Sequence, residues 1–192
     1  MAMNTGKRHH PYTCRAIAAS ILIASLTMFL MLSAAQSSAD VTESESPVIY
    51  NSETAGFSVT LPASVTLKNE SSGRVVWNYD AGDDLTITIR LNYIYIGVNM
   101  DPDEYLKILF DCKKNEGIEP QWKDIKGGRA FTYEVRSGKT DEDLINYYLI
   151  AISGKGWLCT TTVMGKGSAM KKEPGLFKDV FDSFEYRKAQ AR

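Results

Sequence analysis

The sequence predicts an α+β domain, an antiparallel β-sheet covered by helices on both faces. Three observations predict it. Runs of β-branched and aromatic residues with period-two alternation recur along the chain. Short polar connections join the runs that follow residue 129, as between consecutive antiparallel strands. Apolar stripes of helical period occur in the middle and at the end of the chain. A doubly wound fold would instead alternate strand and helix throughout.

The elements follow in order. Residues 1–15 carry Lys7, Arg8 and Arg15 and no acid, and Ala16 to Ala35 is uncharged and apolar. Ser37 and Ala39 then place small side chains before a cut at Ala39–Asp40. Basic, apolar and small-residue regions in this order read as a signal peptide over residues 1–39. The apolar run, about 20 residues long, also suffices to span a bilayer, so retention as an uncleaved anchor stands beside cleavage. Either reading puts the domain outside the cytoplasm, secreted, periplasmic or tethered by residues 16–35, because the basic flank stays inside. Cys14 precedes the apolar run and is not placed to carry a lipid. Residues 40–47, DVTESESP, are an acidic, apolar-poor leader.

The domain itself is expected over residues 48–187. VIYNSETAGFSVTLPA supplies two short strands around a turn at Glu53–Gly56, the second ended by Pro62. Runs at 65–67 and 74–79 flank the polar turn KNESSG. Residues 85–96 form the clearest strand, with Ile87, Ile89, Leu91, Tyr93 and Tyr95 on one face and Thr88, Arg90, Asn92 and Ile94 on the other. A helix then starts at the cap Asp101, with Pro102 at its first position and Glu104 three residues after the cap. Its stripe of Tyr105, Ile108, Leu109 and Cys112 needs a sheet to cover, and Gly117 stops it. Three strands are expected at 129–135, 144–152 and 157–164. Leu176, Phe177, Val180, Phe181 and Phe184 mark a terminal helix, and residues 188–192 a frayed tail.

The opening Tyr50…Gly56-Phe57-Ser58-Val59-Thr60-Leu61-Pro62, the long strand, the capped helix, the hairpins from Arg129 to Met164 and the closing Phe177…Phe181…Ser183-Phe184 resemble the PsbP-like and Mog1-like α/β/α sandwich group. The resemblance covers nearly all of residues 48–187. That group includes thylakoid-lumen photosystem accessory proteins, a nuclear transport factor, and exported bacterial proteins without assigned activity. The resemblance implies a non-catalytic accessory or binding role and carries over no functional residue. Histidines contribute to partner or metal interactions in the photosystem proteins, whereas both histidines here, His9 and His10, lie in the export segment.

Composition narrows the chemistry. Of the 22 basic residues three leave with the signal, and all 23 acids remain, so the mature net charge is 19 − 23 = −4. That charge argues against a nucleic-acid surface. Without histidine, the mature chain has no Ser-His-Asp or Cys-His arrangement and no histidine-ligated zinc. No cofactor is implied. Cys112 and Cys159 read either as one disulfide, which an oxidising compartment permits, or as two buried thiols.

Four further features are weighed. Gly138-Lys139-Thr140 resembles the end of a phosphate-binding loop, but its first glycine would fall at Tyr133, so a β turn is expected. Ser168-Ala169-Met170-Lys171 has the spacing of a serine–lysine acylating pair without its companion motifs, and a polar loop before the final helix is the plainer reading. Asp80, Asp83 and Asp84, and the run Asp141, Glu142 and Asp143, offer oxygen ligands on turns but lack the calcium-loop pattern, and solvated turns are the plainer reading. Trp122 stands in the polar connecting segment EPQWKD and reads as a partner-contacting anchor or as a plug over the core edge. The favoured function is an exported accessory or binding domain that contacts a protein, an envelope component or a small ligand. The alternative is a small extracytoplasmic hydrolase using carboxylates or the Ser168/Lys171 pair.

Overall fold

The computed structural model describes residues 46–97 and 101–187. The proposed signal or anchor at 1–39, most of the leader and the tail at 188–192 lie outside the described residues. The alternating run becomes β5 (Thr86–Tyr95), and its two faces sort the rest of the chain. Before it come β1 (Val48–Ser52), β2 (Phe57–Leu61), β3 (Val65–Ser71) and β4 (Arg74–Asp80). After it come α1 (Pro102–Asn115), β6 (Gln121–Ile125), β7 (Gly128–Arg136), β8 (Leu144–Ile152), β9 (Trp157–Lys166), α2 (Gly167–Lys172), α3 (Leu176–Asp182) and β10 (Glu185–Tyr186).

Seven strands form one antiparallel sheet in the order β3-β4-β5-β9-β8-β7-β6. Strands β1, β2 and β10 form a second, three-stranded sheet, which the sequence reading did not separate. One face of the large sheet presents Val75, Trp77, Ile87, Ile89, Leu91, Leu149, Ala151, Cys159 and Val163. These pack against Phe57, Val59 and Leu61 of β2 and against Leu176, Val180 and Phe181 of α3. Each of the valine, leucine, isoleucine and phenylalanine side chains among these, fully buried, contributes on the order of 2 kcal/mol of hydrophobic stabilisation. The opposite face receives α1 over β7 and β8, where Leu106, Leu109 and Phe110 are buried. The expected helical cover on both faces is therefore present, with the small sheet sharing one of them.

Helix α1 begins as expected. The Asp101 carboxylate accepts hydrogen bonds from the N–H groups of Asp103 (2.9 Å) and Glu104 (3.2 Å), two donors that no helical carbonyl can reach. Three expectations need correction. The run KNESSG is not all turn: β3 continues to Ser71, shifting register between Leu67 and Asn69, because an edge strand can carry polar side chains into solvent. The segment around Trp122 is not a connection but the edge strand β6. The polar loop expected at residue 168 is the short helix α2.

Candidate functional site

Trp122 projects from β6 on the face covered by α1, opposite Phe131 of β7. Its ring stacks on Phe110 of α1 at 4.4 Å and 6°, and meets Phe131 edge-on at 6.0 Å. The Arg129 guanidinium lies 4.8 Å from its centroid, within cation–π range. The indole still keeps 40% of its surface exposed. The two readings of this residue thus coincide: it closes the core edge, and it offers solvent a rigid aromatic surface beside a cation.

The cysteines sit on opposite sides of the large sheet. Cys159 pairs with Ala151 and Tyr93 and points into the core beneath the small sheet, where it is a free, fully buried thiol. Cys112 belongs to α1, which packs on the other face. A Cys112–Cys159 bond would have to pass through the sheet, so of the two readings the Cys112–Cys159 disulfide is not formed. Burial pushes the Cys159 thiol well above its ordinary pKa.

The serine–lysine pair is not assembled either. The Ser168 hydroxyl is buried without a hydrogen-bond partner, while the exposed Lys171 ammonium binds Asp141 at 2.7 Å. A lysine acting as base would need to reach that hydroxyl. The acidic turn after β4 is likewise engaged elsewhere: Asp80 accepts from the Gly82 N–H (2.8 Å), and Asp83 pairs with Lys172. Among the described residues no three histidine, cysteine or acidic side chains converge as metal ligands. Gly138-Lys139-Thr140 lies in the loop between β7 and β8 rather than in a tight β turn of its own, and the Thr140 N–H and hydroxyl both donate to Asp143 at 2.7 Å.

The helix-bearing face carries a second polar surface that sequence reasoning missed. Strand register lines up one row as Val76, Arg90, Thr162, Tyr148 and Tyr133 across β4, β5, β9, β8 and β7. The next row is Arg74, Asn92, Thr160, Ile150, Phe131 and Trp122. Arg74 and Arg90 are therefore diagonal neighbours on adjacent strands, close enough for long side chains to interact. The signal was already in the alternation of β5, which put Arg90 among Thr88 and Asn92. The adjacency of Arg74, however, depends on the β4–β5 register. Tyr133 and Tyr148 stack at 4.6 Å, and burial raises both phenols. Two shallow clefts, of about 440 and 390 Å³, open at the edges of β2 and of β6 and β7. Neither holds the residues singled out for catalysis.

No protein-family model matches the chain, and no curated protein matches it significantly. Solved structures do. A protein from Bacteroides thetaiotaomicron VPI-5482 matches with a TM-score of 0.55 at 13% identity over 75% of this chain, which spans 50% of that one. LpqN, involved in cell envelope biogenesis of Mycobacterium tuberculosis, matches with a TM-score of 0.53 at 13% identity, over 78% of this chain and 93% of that one. Cyanobacterial PsbP from Synechocystis sp. PCC 6803 matches with a TM-score of 0.47 at 15% identity, over 81% and 98%. At such identities the likeness is one of fold.

Proposed function

We propose that this chain is an exported, non-catalytic accessory domain that binds a protein or another component of the cell envelope through the surface around Trp122. The observation that carries the reading is the half-exposed indole, held flat by Phe110 and flanked by Arg129. Tryptophan and arginine are the side chains that most often anchor protein contacts. An indole already fixed by its neighbours loses little conformational entropy on binding. The fold shared with LpqN, which is involved in cell envelope biogenesis, agrees with an envelope setting.

The test is capture from envelope extracts on the tagged full chain, read by mass spectrometry. Arg129→Ala and Trp122→Phe are compared with the parent protein, since each alters the exposed surface while leaving the stack on Phe110 in place or nearly so. The expected result is a saturable partner lost or weakened in both variants. Equal capture by parent and variants would remove this surface from the function.

A further inference from the structure

The geometry points to Arg74 and Arg90 as a binding site for a phosphate-class oxyanion, distinct from the Trp122 surface. Both arginines are partly buried on the large sheet, and each has a buried Nε–H that finds no acceptor among the described residues. Buried donors in folded proteins are nearly always satisfied by protein or water, and two open donors on neighbouring cationic side chains favour an anionic acceptor. The ion pairs of the described residues do not use either arginine: they join lysines, or Arg136, to carboxylates. The two rows that hold Arg74 and Arg90 contain no acidic side chain.

Such a placement runs against stability unless an anion completes it. A partly desolvated cation is costly without a partner, and a second cation beside it adds repulsion. Consistent with this, Arg90 is held below its usual pKa, first by burial and then by the charge of Arg74. Guanidinium groups present planar forks of N–H donors, and two forks on one side suit a tetrahedral oxyanion with several acceptor oxygens. Asn92 and Thr160, which continue the Arg74 row, add amide and hydroxyl donors beside the arginines. Trp122 closes the same row five strands away, about 24 Å at ordinary strand spacing, so the two surfaces are separable. The oxyanion has two sources of the same chemistry, free phosphate and the phosphodiester of an anionic lipid headgroup.

The experiment titrates the full chain with inorganic phosphate at constant ionic strength, followed by calorimetry and amide chemical shifts. Vesicles of phosphatidylglycerol, with phosphatidylcholine as the control, form the second arm. Saturable binding is expected, with shifts centred on Arg74, Arg90, Asn92 and Thr160. Arg74→Gln and Arg90→Gln should each weaken it roughly tenfold or more, as loss of a charge-assisted pair does. Arg90→Lys, which keeps the charge but not the fork, should fall between parent and glutamine variant. Binding of phosphatidylglycerol vesicles alone, lost in the same variants, would identify the headgroup as the source. The assignment is overturned if neither probe binds at up to about 10 mM, if shifts fall on exposed lysines, or if the glutamine variants, shown folded by thermal melting, bind as the parent does.

Discussion

The Trp122 indole and the Phe110 ring lie parallel, 4.4 Å apart at 6°, and join an edge strand to the only long helix among the described residues. Stacked aromatic pairs add about 1 kcal/mol beyond the area they bury. Trp122→Ala should therefore cost about 2 kcal/mol, less than a fully buried tryptophan, and Phe110→Ala about 3 kcal/mol. In urea unfolding the double variant should lose about 1 kcal/mol less than the sum of the singles. Strict additivity would mean that the rings meet without stabilising each other.

The parts of the fold that were legible are those in which one residue type repeats at one period. The strand Thr86–Tyr95 and the capped start at Asp101 are of this kind. Strand β6 was not, because at a sheet edge Gln121, Lys123 and Asp124 share it with only two apolar residues. Helix α2 spans Gly167–Lys172, too short for a helical period to emerge. The separate small sheet rests on pairing of β10 with β2, a contact between distant parts of the chain that no local pattern encodes. The site followed the same rule. Trp122 was visible as an aromatic out of place, while the Arg74–Arg90 neighbourhood required the register of two strands. Cys112 and Cys159 were visible as a pair, but nothing local revealed that the sheet separates them.

Cys159 should be chemically silent in the folded protein. It is fully buried, and burial favours the thiol over the reactive thiolate. Iodoacetamide at pH 8 followed by peptide mapping should leave Cys159 unmodified in the native chain and label it fully in urea. Labelling of native Cys159 at the rate of a free peptide thiol would show that the core opens there.

Stability should decline on the alkaline side. Burial raises the Cys159 thiol and the phenols of Tyr50, Tyr133 and Tyr186 above their ordinary values. In the unfolded chain these groups ionise near about pH 8.5 for the thiol and 10 for the phenols. Above those values the unfolded state has released protons that the folded state retains, so stability falls as pH rises, by up to about 1.4 kcal/mol per pH unit for each group. Below them these groups contribute no pH dependence. On the acid side Asp182 and Glu185 are held below the usual carboxylate range, chiefly by hydrogen bonds from Lys123 and Lys126. Their contribution is present above the unfolded carboxylate pKa and is lost as pH falls, but exposed pairs of this kind contribute little. Urea midpoints from pH 4 to 11 should thus stay nearly level to pH 8 and drop steeply above 9. Tyr186→Phe should flatten that drop and cost little at pH 7, because the Tyr186 hydroxyl is buried with no hydrogen-bond partner. An unchanged alkaline slope in Tyr186→Phe would place the proton release elsewhere.

The turn between β6 and β7 seats the end of the domain. Gly127 has φ +83°, and a Cβ there would lie 2.5 Å from the Tyr186 carbonyl oxygen and 3.2 Å from the Tyr186 Cβ. The neighbouring Lys126 carbonyl accepts the Tyr186 N–H at 2.9 Å, tying β10 to this turn. Gly127→Ala therefore meets two penalties, a left-handed backbone and a clash with main-chain atoms that cannot rotate away. It should cost about 2–3 kcal/mol in urea unfolding and speed hydrogen exchange at the Tyr186 amide. Gly154→Ala is the control: its added Cβ meets nothing within 4 Å, and its effect should stay within about 0.5 kcal/mol. Equal stabilities for the two variants would mean that β10 yields to the new methyl at no cost, and that the close approach of Tyr186 does not hold the terminal strand.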